Sequence, residues 1–199
     1  MISVSIDSKS IGDTKVLGRV SFEISEGETL AVVGPSGVGK TTLLRVLAGL
    51  DTEFEGQVQV PEHCAMVFQE PALLPWRSAL QNLTLVNGVS DAAARAALGE
   101  VGLRDLANRF PGQLSLGQRR RLSLARAFSA APDMLLMDEP FVSLDAPLVE
   151  EMLELTESLL ASRSIATVFV SHAMEEAQRL ATRIVRLTGS PAVFEDPAP

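Results

Sequence analysis

The sequence predicts an α/β fold with a mainly parallel sheet flanked by helices. Residues 30–33, 134–137 and 165–170 are short apolar runs, as expected for strands covered on both faces. Amphipathic segments with helical spacing separate several of these runs, and such alternation is typical of a parallel sheet. A chain of 199 residues is long enough for one sizeable core and short for two, so we expect one domain.

The first third of the chain predicts strands around one helix. Residues 1–6 alternate apolar and polar positions like a strand, and residues 57–68 have a broken apolar pattern compatible with short strands. The strand at 30–33 leads into a glycine-rich loop. Residues 42–48 then predict a helix that ends at Gly49.

The remainder alternates between helices and strands. Residues 70–112 contain three prolines and an Ala-rich stretch, which indicates a helical insertion, and another helix starts near Ser115 and stops at Pro132. Apolar residues at helical spacing over 148–159 predict a further helix. We then expect a helix at 173–181, a strand at 183–187 and a loose, proline-containing tail from Gly189, in the order of the sequence.

Composition and charge narrow the functional classes. Hydrophobic residues make up 46% of the chain, which excludes a disordered chain, and the net charge is −8. This acidic balance argues against non-specific nucleic-acid binding, which depends on Lys and Arg. The single cysteine, Cys64, fits a reducing compartment and a core position. The sequence has no signal-peptide pattern and no run of ~20 apolar residues, so we expect a cytoplasmic chain whose membrane role depends on a partner.

Eight consecutive residues match the phosphate-loop pattern G-x-x-x-x-G-K-[ST]. They are Gly34, Pro35, Ser36, Gly37, Val38, Gly39, Lys40 and Thr41. Glycines let backbone N–H groups turn inward around a triphosphate, and the following helix adds the positive end of its dipole. We expect Lys40 to reach the β- and γ-phosphates and Thr41 to bind Mg²⁺. A glycine-rich turn that binds nothing is disfavoured, because this loop follows a strand and opens a helix.

A carboxylate pair follows a second apolar run. Asp138 and Glu139 come directly after residues 134–137, and ligands of open α/β sheets bind outside the carboxyl ends of strands. We expect Asp138 to hold Mg²⁺ and Glu139 to act as the general base on an attacking water. The alternative, an ordinary solvated loop, is disfavoured by the phosphate loop upstream.

Five short motifs follow the phosphate loop in a specific order. They are Gln69 in VFQEP, LSLGQ at 114–118, LMDEP at 136–140, SLD at 143–145 and His172 in VSH. Each motif is weak alone, but together they resemble the nucleotide-binding domain of ABC transporters over nearly the whole chain. This resemblance implies a P-loop NTPase with a small antiparallel β subdomain and a helical insertion. Residues 1–69 and 132–188 would form the nucleotide-binding core with the β subdomain, residues 70–131 the helical subdomain, and residues 189–199 the tail.

The resemblance also implies ATP and Mg²⁺ as cofactors and assigns roles to single residues. Gln69 would lie near Mg²⁺, and His172 would hydrogen-bond the γ-phosphate; both join Lys40 and Glu139 as expected catalytic residues. Further expected nucleotide contacts are Thr42 and Ile11 from the same chain and, across a dimer interface, Ser115, Gly117, Gln118 and Asp145.

Within this family, residues 69–77 resemble the importer ATPases of the nitrate, sulfonate and taurine group. The implied function is an ATP-hydrolysing importer subunit on the inner face of the membrane. Its implied partners are a second ATPase subunit, permease subunits and, indirectly, a solute-binding protein. The segment around Trp76 would receive the permease, and core packing is the alternative for this residue. The basic triplet at 119–121 lies in the helix that begins at the LSLGQ motif, so we expect no nucleic-acid partner.

Two residues depart from the family pattern. Leu116 stands where the family keeps a glycine, which places tight closure of the dimer in question. Ile11 stands where the family stacks an aromatic ring on the adenine, and the chain contains no Tyr, so we expect weak base selectivity. Two alternative functions stay open: a soluble ABC ATPase acting on DNA or ribosomes, and a nucleotide-binding regulator with weak catalysis.

Overall fold

The computed structural model describes residues 2–195, which form ten strands and six α-helices. The strands are β1 (Ile2–Ile11), β2 (Thr14–Leu17), β3 (Val20–Ile24), β4 (Thr29–Val33), β5 (Glu55–Gln59), β6 (Cys64–Val67), β7 (Met134–Asp138), β8 (Ala166–Ser171), β9 (Arg183–Gly189) and β10 (Ala192–Phe194). The helices are α1 (Lys40–Leu47), α2 (Ala79–Asn87), α3 (Asp91–Glu100), α4 (Leu116–Ser129), α5 (Ala146–Ala161) and α6 (Met174–Leu180).

A parallel sheet with the order β9-β4-β8-β7-β6 forms the centre of the molecule. Its strands β4, β7 and β8 are buried at every position, which explains their continuous apolar runs. In this register Val33 lies opposite Ser171, and Asp138 lies opposite Val170. The carboxyl ends of β4, β7 and β8 therefore meet at one edge of the sheet, as predicted for an α/β fold.

The two faces of the parallel sheet carry different helices. Leu135 and Met137 of β7 face a core that includes residues of α2 to α6, whereas Met134 and Leu136 face a core that includes α1. Successive side chains of a strand point to opposite faces, so one short strand serves both cores. In residues 2–195, no helix combines the length and the apolar character that crossing a bilayer requires.

Antiparallel strands extend the sheet on the side of β9. Strand β1 pairs with β2, β3 and β5, and β2 is joined to the parallel part through β10. Residues Val4, Ile6 and Phe22 of this part pack on the same core as α1. The mixed sheet agrees with the P-loop NTPase fold and the small antiparallel part that the sequence predicted.

The structure corrects the sequence prediction in two places. Helix α2 was not predicted; it begins after Ser78, whose hydroxyl accepts a hydrogen bond from the backbone N–H of Gln81 in a capping box. The loose tail from Gly189 is wrong for residues 189–195, because β10 pairs with β9 and β2, and the carbonyl of Ala192 accepts a hydrogen bond from the N–H of Gly18 at 2.7 Å. Residues 196–199 of that predicted tail lie outside the described residues.

Candidate active site

A cavity of about 400 Å³ lies over the carboxyl ends of the central strands. The loops that follow β4, β6 and β7 each contribute to it, as does the end of β1. Its lining consists of Ile11, Val16, Ser36, Gly37, Gly39, Lys40, Thr41, Thr42, Gln69 and Glu139. Ligands of open α/β sheets bind at this edge, so the cavity is the candidate active site.

The phosphate loop needs glycine at specific positions. A Cβ atom on Gly34 would lie 2.4 Å from the carbonyl oxygen of Leu187, and Gly39 has a φ of 118°, in the left-handed region. Gly39 also precedes α1 without any side-chain cap, so the first N–H groups of this helix are available to a ligand. The loop therefore presents backbone donors and a helix N-terminus to the cavity, an arrangement that binds phosphate.

Lys40 supplies the positive charge of the site although only 4% of its surface is exposed. Its Nζ donates hydrogen bonds to the carbonyls of Gly34 and Pro35 at 2.9 and 3.1 Å and lies 3.2 Å from Glu139 Oε1. These partners lie in the phosphate loop and just after β7. Lys40 is thus held at the junction of the two motifs that the sequence singled out.

Thr41 and Asp138 bring two oxygen atoms together beside the phosphate loop. The Thr41 hydroxyl donates a hydrogen bond to Asp138 Oδ1 at 3.0 Å. Burial raises the pKa of Asp138 above its ordinary value, and the hydrogen bond from Thr41 and the charge of Lys40 oppose this only in part. A buried carboxylate beside a hydroxyl fits a hard cation, which takes oxygen ligands. Residues 2–195 hold no cluster of three or more acidic, His or Cys side chains around such an ion, so the further ligands of a Mg²⁺ ion would be the Gln69 amide oxygen predicted from the sequence and phosphate and water oxygens.

Glu139 lies between two nitrogen donors at the end of β7. Its Oε1 faces Lys40, and its Oε2 lies 3.3 Å from Nδ1 of His172. The backbone of Glu139 has a φ of 44°, uncommon for a residue with a side chain, and its N–H donates to the carbonyl of Val170 at 3.1 Å. The turn after β7 therefore fixes the direction of this carboxylate. Such strained residues cluster at functional sites.

The remaining residues of this cavity come from three other segments. Gln69 follows β6 and is exposed, and Ile11 ends β1 with 57% of its surface exposed. Val16, which the sequence analysis did not identify, lies beside them in the cavity lining. Glu176 was missed as well: its carboxylate accepts a hydrogen bond from Ser171 at 2.5 Å, one residue before His172. The sequence gives no local signal for either residue.

The structure does not bring the LSLGQ and SLD residues to this cavity. Ser115 and Gln118 form a capping box at the start of α4, and Asp145 caps α5 by accepting from the N–H of Leu148 at 3.3 Å. Gly117 packs so closely on α5 that a Cβ atom would lie 2.9 Å from Leu148. None of these residues is among those that line the phosphate-loop cavity. Within one chain they have structural roles.

The fold and the cavity together define a P-loop nucleotide-binding protein. A family model described as ABC transporter matches residues 17–142. The aliphatic sulfonates import ATP-binding protein SsuB of Mycobacterium sp. (strain MCS) is 47% identical over 90% of this chain and 76% of the relative. The protein of the same name from Granulibacter bethesdensis is 43% identical over 94% and 79%. A solved dimeric post-hydrolysis state of the ATP-binding cassette MJ0796, bound to ADP and Pi, superposes with a TM-score of 0.80 at 27% identity, covering 98% of this chain and 97% of that chain.

The chain belongs to the ABC transporter family. It is an ATP-binding, ATP-hydrolysing subunit of this family. The resemblance drawn from the order of the motifs is thereby confirmed. Both relatives named SsuB belong to the importer group that residues 69–77 indicated.

Proposed function

We propose that this chain powers an ABC importer for sulfonates and hydrolyses ATP between two copies of itself. The observation that carries this proposal is the 47% identity to a sulfonate import ATP-binding protein over 90% of the chain. The alternatives of a DNA- or ribosome-associated ATPase and of a regulator receive no support from these relatives. Residues 1–69 and 132–188 are the proposed nucleotide-binding core, and residues 70–131 are the proposed helical subdomain.

The proposed chemistry uses the residues around Glu139. In this structure its carboxylate is shared between Lys40 and His172. A bound triphosphate offers both donors a more highly charged partner, and this frees Glu139 to accept a proton from the attacking water. The water oxygen then bonds to the γ-phosphorus, the bond to the bridging oxygen breaks, and ADP and inorganic phosphate leave. Gln69 is the proposed residue that positions this water and senses the γ-phosphate.

Mg²⁺ belongs to the proposed site because the oxygen atoms of Thr41 and Asp138 suit it. When bound, the ion neutralises charge on the phosphates. Asp138 is only 5% exposed, so a bound cation would compensate a buried negative charge. Thr42 and Ile11 are the proposed contacts to the rest of the nucleotide.

A second copy of the chain would complete the site. Ser115, Gly117, Gln118 and Asp145 are exposed or lie at helix starts, away from the phosphate-loop cavity of their own chain. Helix α4 begins at Leu116, and its N-terminus is suited to cap an anion bound to another subunit. The dimeric form of the structural relative supports this arrangement.

The membrane partner is proposed to bind the segment after Gln69. Trp76, the only Trp of the chain, is 66% exposed, so core packing does not explain it in this structure. An exposed Trp is an effective anchor for a protein partner. The partner proposed here is a permease subunit that receives sulfonates from a solute-binding protein. The chain is therefore proposed to work at the inner face of the membrane.

The test combines the chain with a sulfonate permease and with the solute-binding protein of that permease. Wild-type protein should co-purify with the permease, and alkanesulfonate should stimulate ATP hydrolysis of the assembled complex. Trp76→Ala should keep the ATPase rate of the isolated chain and weaken binding of the permease by about 2 kcal/mol, roughly 30-fold in Kd. Leu50→Ala, at another exposed apolar residue, is the matched control. Absence of association with the permease would contradict the proposal. ATP hydrolysis that is stimulated by other solutes and not by alkanesulfonate would also contradict it.

A further inference from the structure

Arg120 of α4 is a buried cation with an unusual set of partners. Only 5% of its surface is exposed. One terminal nitrogen donates a hydrogen bond to the carbonyl of Gln69, and the other donates to the carbonyl of Val142 at 3.1 Å. Within residues 2–195 its hydrogen bonds go to these neutral carbonyls and to no carboxylate, and its Nε has no partner. In the sequence this residue is the middle member of the basic triplet at 119–121.

The two carbonyls belong to the two loops that carry the reaction. Gln69 itself lines the phosphate-loop cavity. Val142 closes the turn after β7, because its N–H donates to the carbonyl of Glu139 at 3.2 Å. Glu139 has the strained backbone described above and also lines the cavity. One guanidinium therefore ties the backbone of the proposed sensor to the turn that aims the proposed base.

Packing energy alone does not explain a charged side chain at this place. Burial lowers the pKa of the Arg120 guanidinium, and of the nearby charges only Glu70 opposes this shift. Removing an ion from water is costly, and an apolar side chain of similar length would fill the same space without that cost. A planar fork with fixed donor directions is, however, suited to hold two acceptors at a set separation. The fork geometry, rather than the charge, distinguishes this site.

We propose that Arg120 is a positioning residue for ATP hydrolysis, which holds the Gln69 loop and the Glu139 turn in one fixed relation. Arg120 contacts neither the cavity nor any reacting atom, so it acts through these backbone segments. Since it lies on α4, the helix that starts at the LSLGQ motif, Arg120 also connects this helix to both loops. This inference rests on the roles proposed above for Gln69 and Glu139.

The test compares Arg120→Met and Arg120→Lys with the control Arg119→Met. Met keeps an apolar stem and removes both donors, whereas Lys keeps the charge and loses the fork. Arg119→Met removes the same charge from the neighbouring residue, for which the structure shows no hydrogen bond to either loop. We expect Arg120→Met to lower kcat at least tenfold and to keep the ATP affinity within twofold of wild type. The kcat of Arg120→Lys should lie between those of Arg120→Met and the wild type. The control should keep both quantities.

A second readout separates positioning from folding. Trp76 lies seven residues after Gln69, so its fluorescence should follow that segment when ATP binds. The wild type and Arg119→Met should show an ATP-dependent change that Arg120→Met lacks, with melting temperatures recorded for each variant. Unchanged kcat and fluorescence in Arg120→Met would overturn the inference, and an equal loss of ATP affinity and kcat would assign Arg120 to folding. The Glu139→Gln variant is measured in parallel. If this variant still hydrolyses ATP, the proposed role of Glu139 as the base is refuted. If it loses hydrolysis while Arg120→Met keeps the wild-type kcat, only the inference about Arg120 is refuted.

Discussion

Replacing Lys40 with Met tests the phosphate loop most stringently. The Lys40 Nζ has two carbonyl acceptors and the Glu139 carboxylate within 3.2 Å, so the charge is already in position before ATP binds. Met retains an aliphatic side chain at a residue that is 4% exposed, so little space is left empty. A hydrogen bond to a charged group contributes ~1.5–3 kcal/mol. The loss of one such bond to phosphate corresponds to a roughly 10- to 150-fold weaker Kd for ATP.

The assay is a calorimetric titration with MgATP at constant ionic strength. Lys15→Met is the control, because it removes the same charge from an exposed residue of β2. Without Lys40, Oε1 of the Glu139 carboxylate loses its cation, and the negative charge then repels the phosphates, which adds to the loss. The double variant Lys40→Met/Glu139→Gln separates this repulsion from the lost attraction through a mutant cycle. A Kd for Lys40→Met within about twofold of wild type would refute the assignment of the phosphate loop.

Three further predictions concern the metal site, the contact with the adenine and the dimer. Because burial raises the pKa of Asp138, the ionised carboxylate destabilises the ligand-free fold above pH 3.8. Asp138→Asn should therefore raise the melting temperature of the ligand-free protein at pH 7 and abolish Mg²⁺-dependent hydrolysis. The difference in melting temperature between the two proteins should vanish as the pH falls toward 3.8. Ile11 offers the adenine no aromatic face, so the wild type should bind ATP and GTP alike, and Ile11→Tyr should tighten ATP binding by ~0.5–1.5 kcal/mol in a direct titration; no gain would show that the adenine lies elsewhere. Leu116→Gly should strengthen the ATP-held dimer, and Leu116→Ala should have a smaller effect in the same direction. Both changes are measured by analytical ultracentrifugation in a Glu139→Gln background, and a weaker dimer would contradict the prediction.

The phosphate loop and the carboxylate pair could be predicted because their requirements are local. Glycines at set positions before a helix, and acidic residues after an apolar strand, describe the backbone and the chemistry within a few residues. The structure places Thr41 within hydrogen-bonding reach of Asp138, and Lys40 within reach of Glu139. The only knowledge of tertiary structure that this prediction needed is the rule that neighbouring parallel strands end at the same edge of a sheet.

Apolar periodicity alone does not identify helix α2, because its core includes a polar residue. Asn82 is fully buried, and its amide donates to the carbonyls of Leu74, Arg77 and Ser78. A buried amide interrupts the apolar periodicity that identifies a helix, and the partners that satisfy it become visible only in three dimensions. The sequence of this helix therefore contains five apolar residues among nine, but a polar residue occupies one of its buried positions.

Strand β10 and Arg120 were missed for a related reason. Strand β10 has three residues, too few for periodicity, and it depends on partners that include Leu17, far away in the chain. The three arginines at 119–121 are chemically alike, and only the packing of α4 decides that Arg120 is the one turned toward Gln69. Sequence patterns describe the residue types, whereas tertiary contacts select which of them is buried.

The measurement that tests the shared site most directly is the mass of Glu139→Gln protein with and without ATP and Mg²⁺. Glutamine keeps the shape of Glu139 but cannot accept the proton from water, so hydrolysis should slow while ATP stays bound. Light scattering should then give twice the mass of the 21.3 kDa chain with ATP and the single mass without it. Wild-type hydrolysis should rise more than linearly with protein concentration. A variant that stays monomeric with ATP, beside a wild-type rate strictly proportional to concentration, would contradict the shared site.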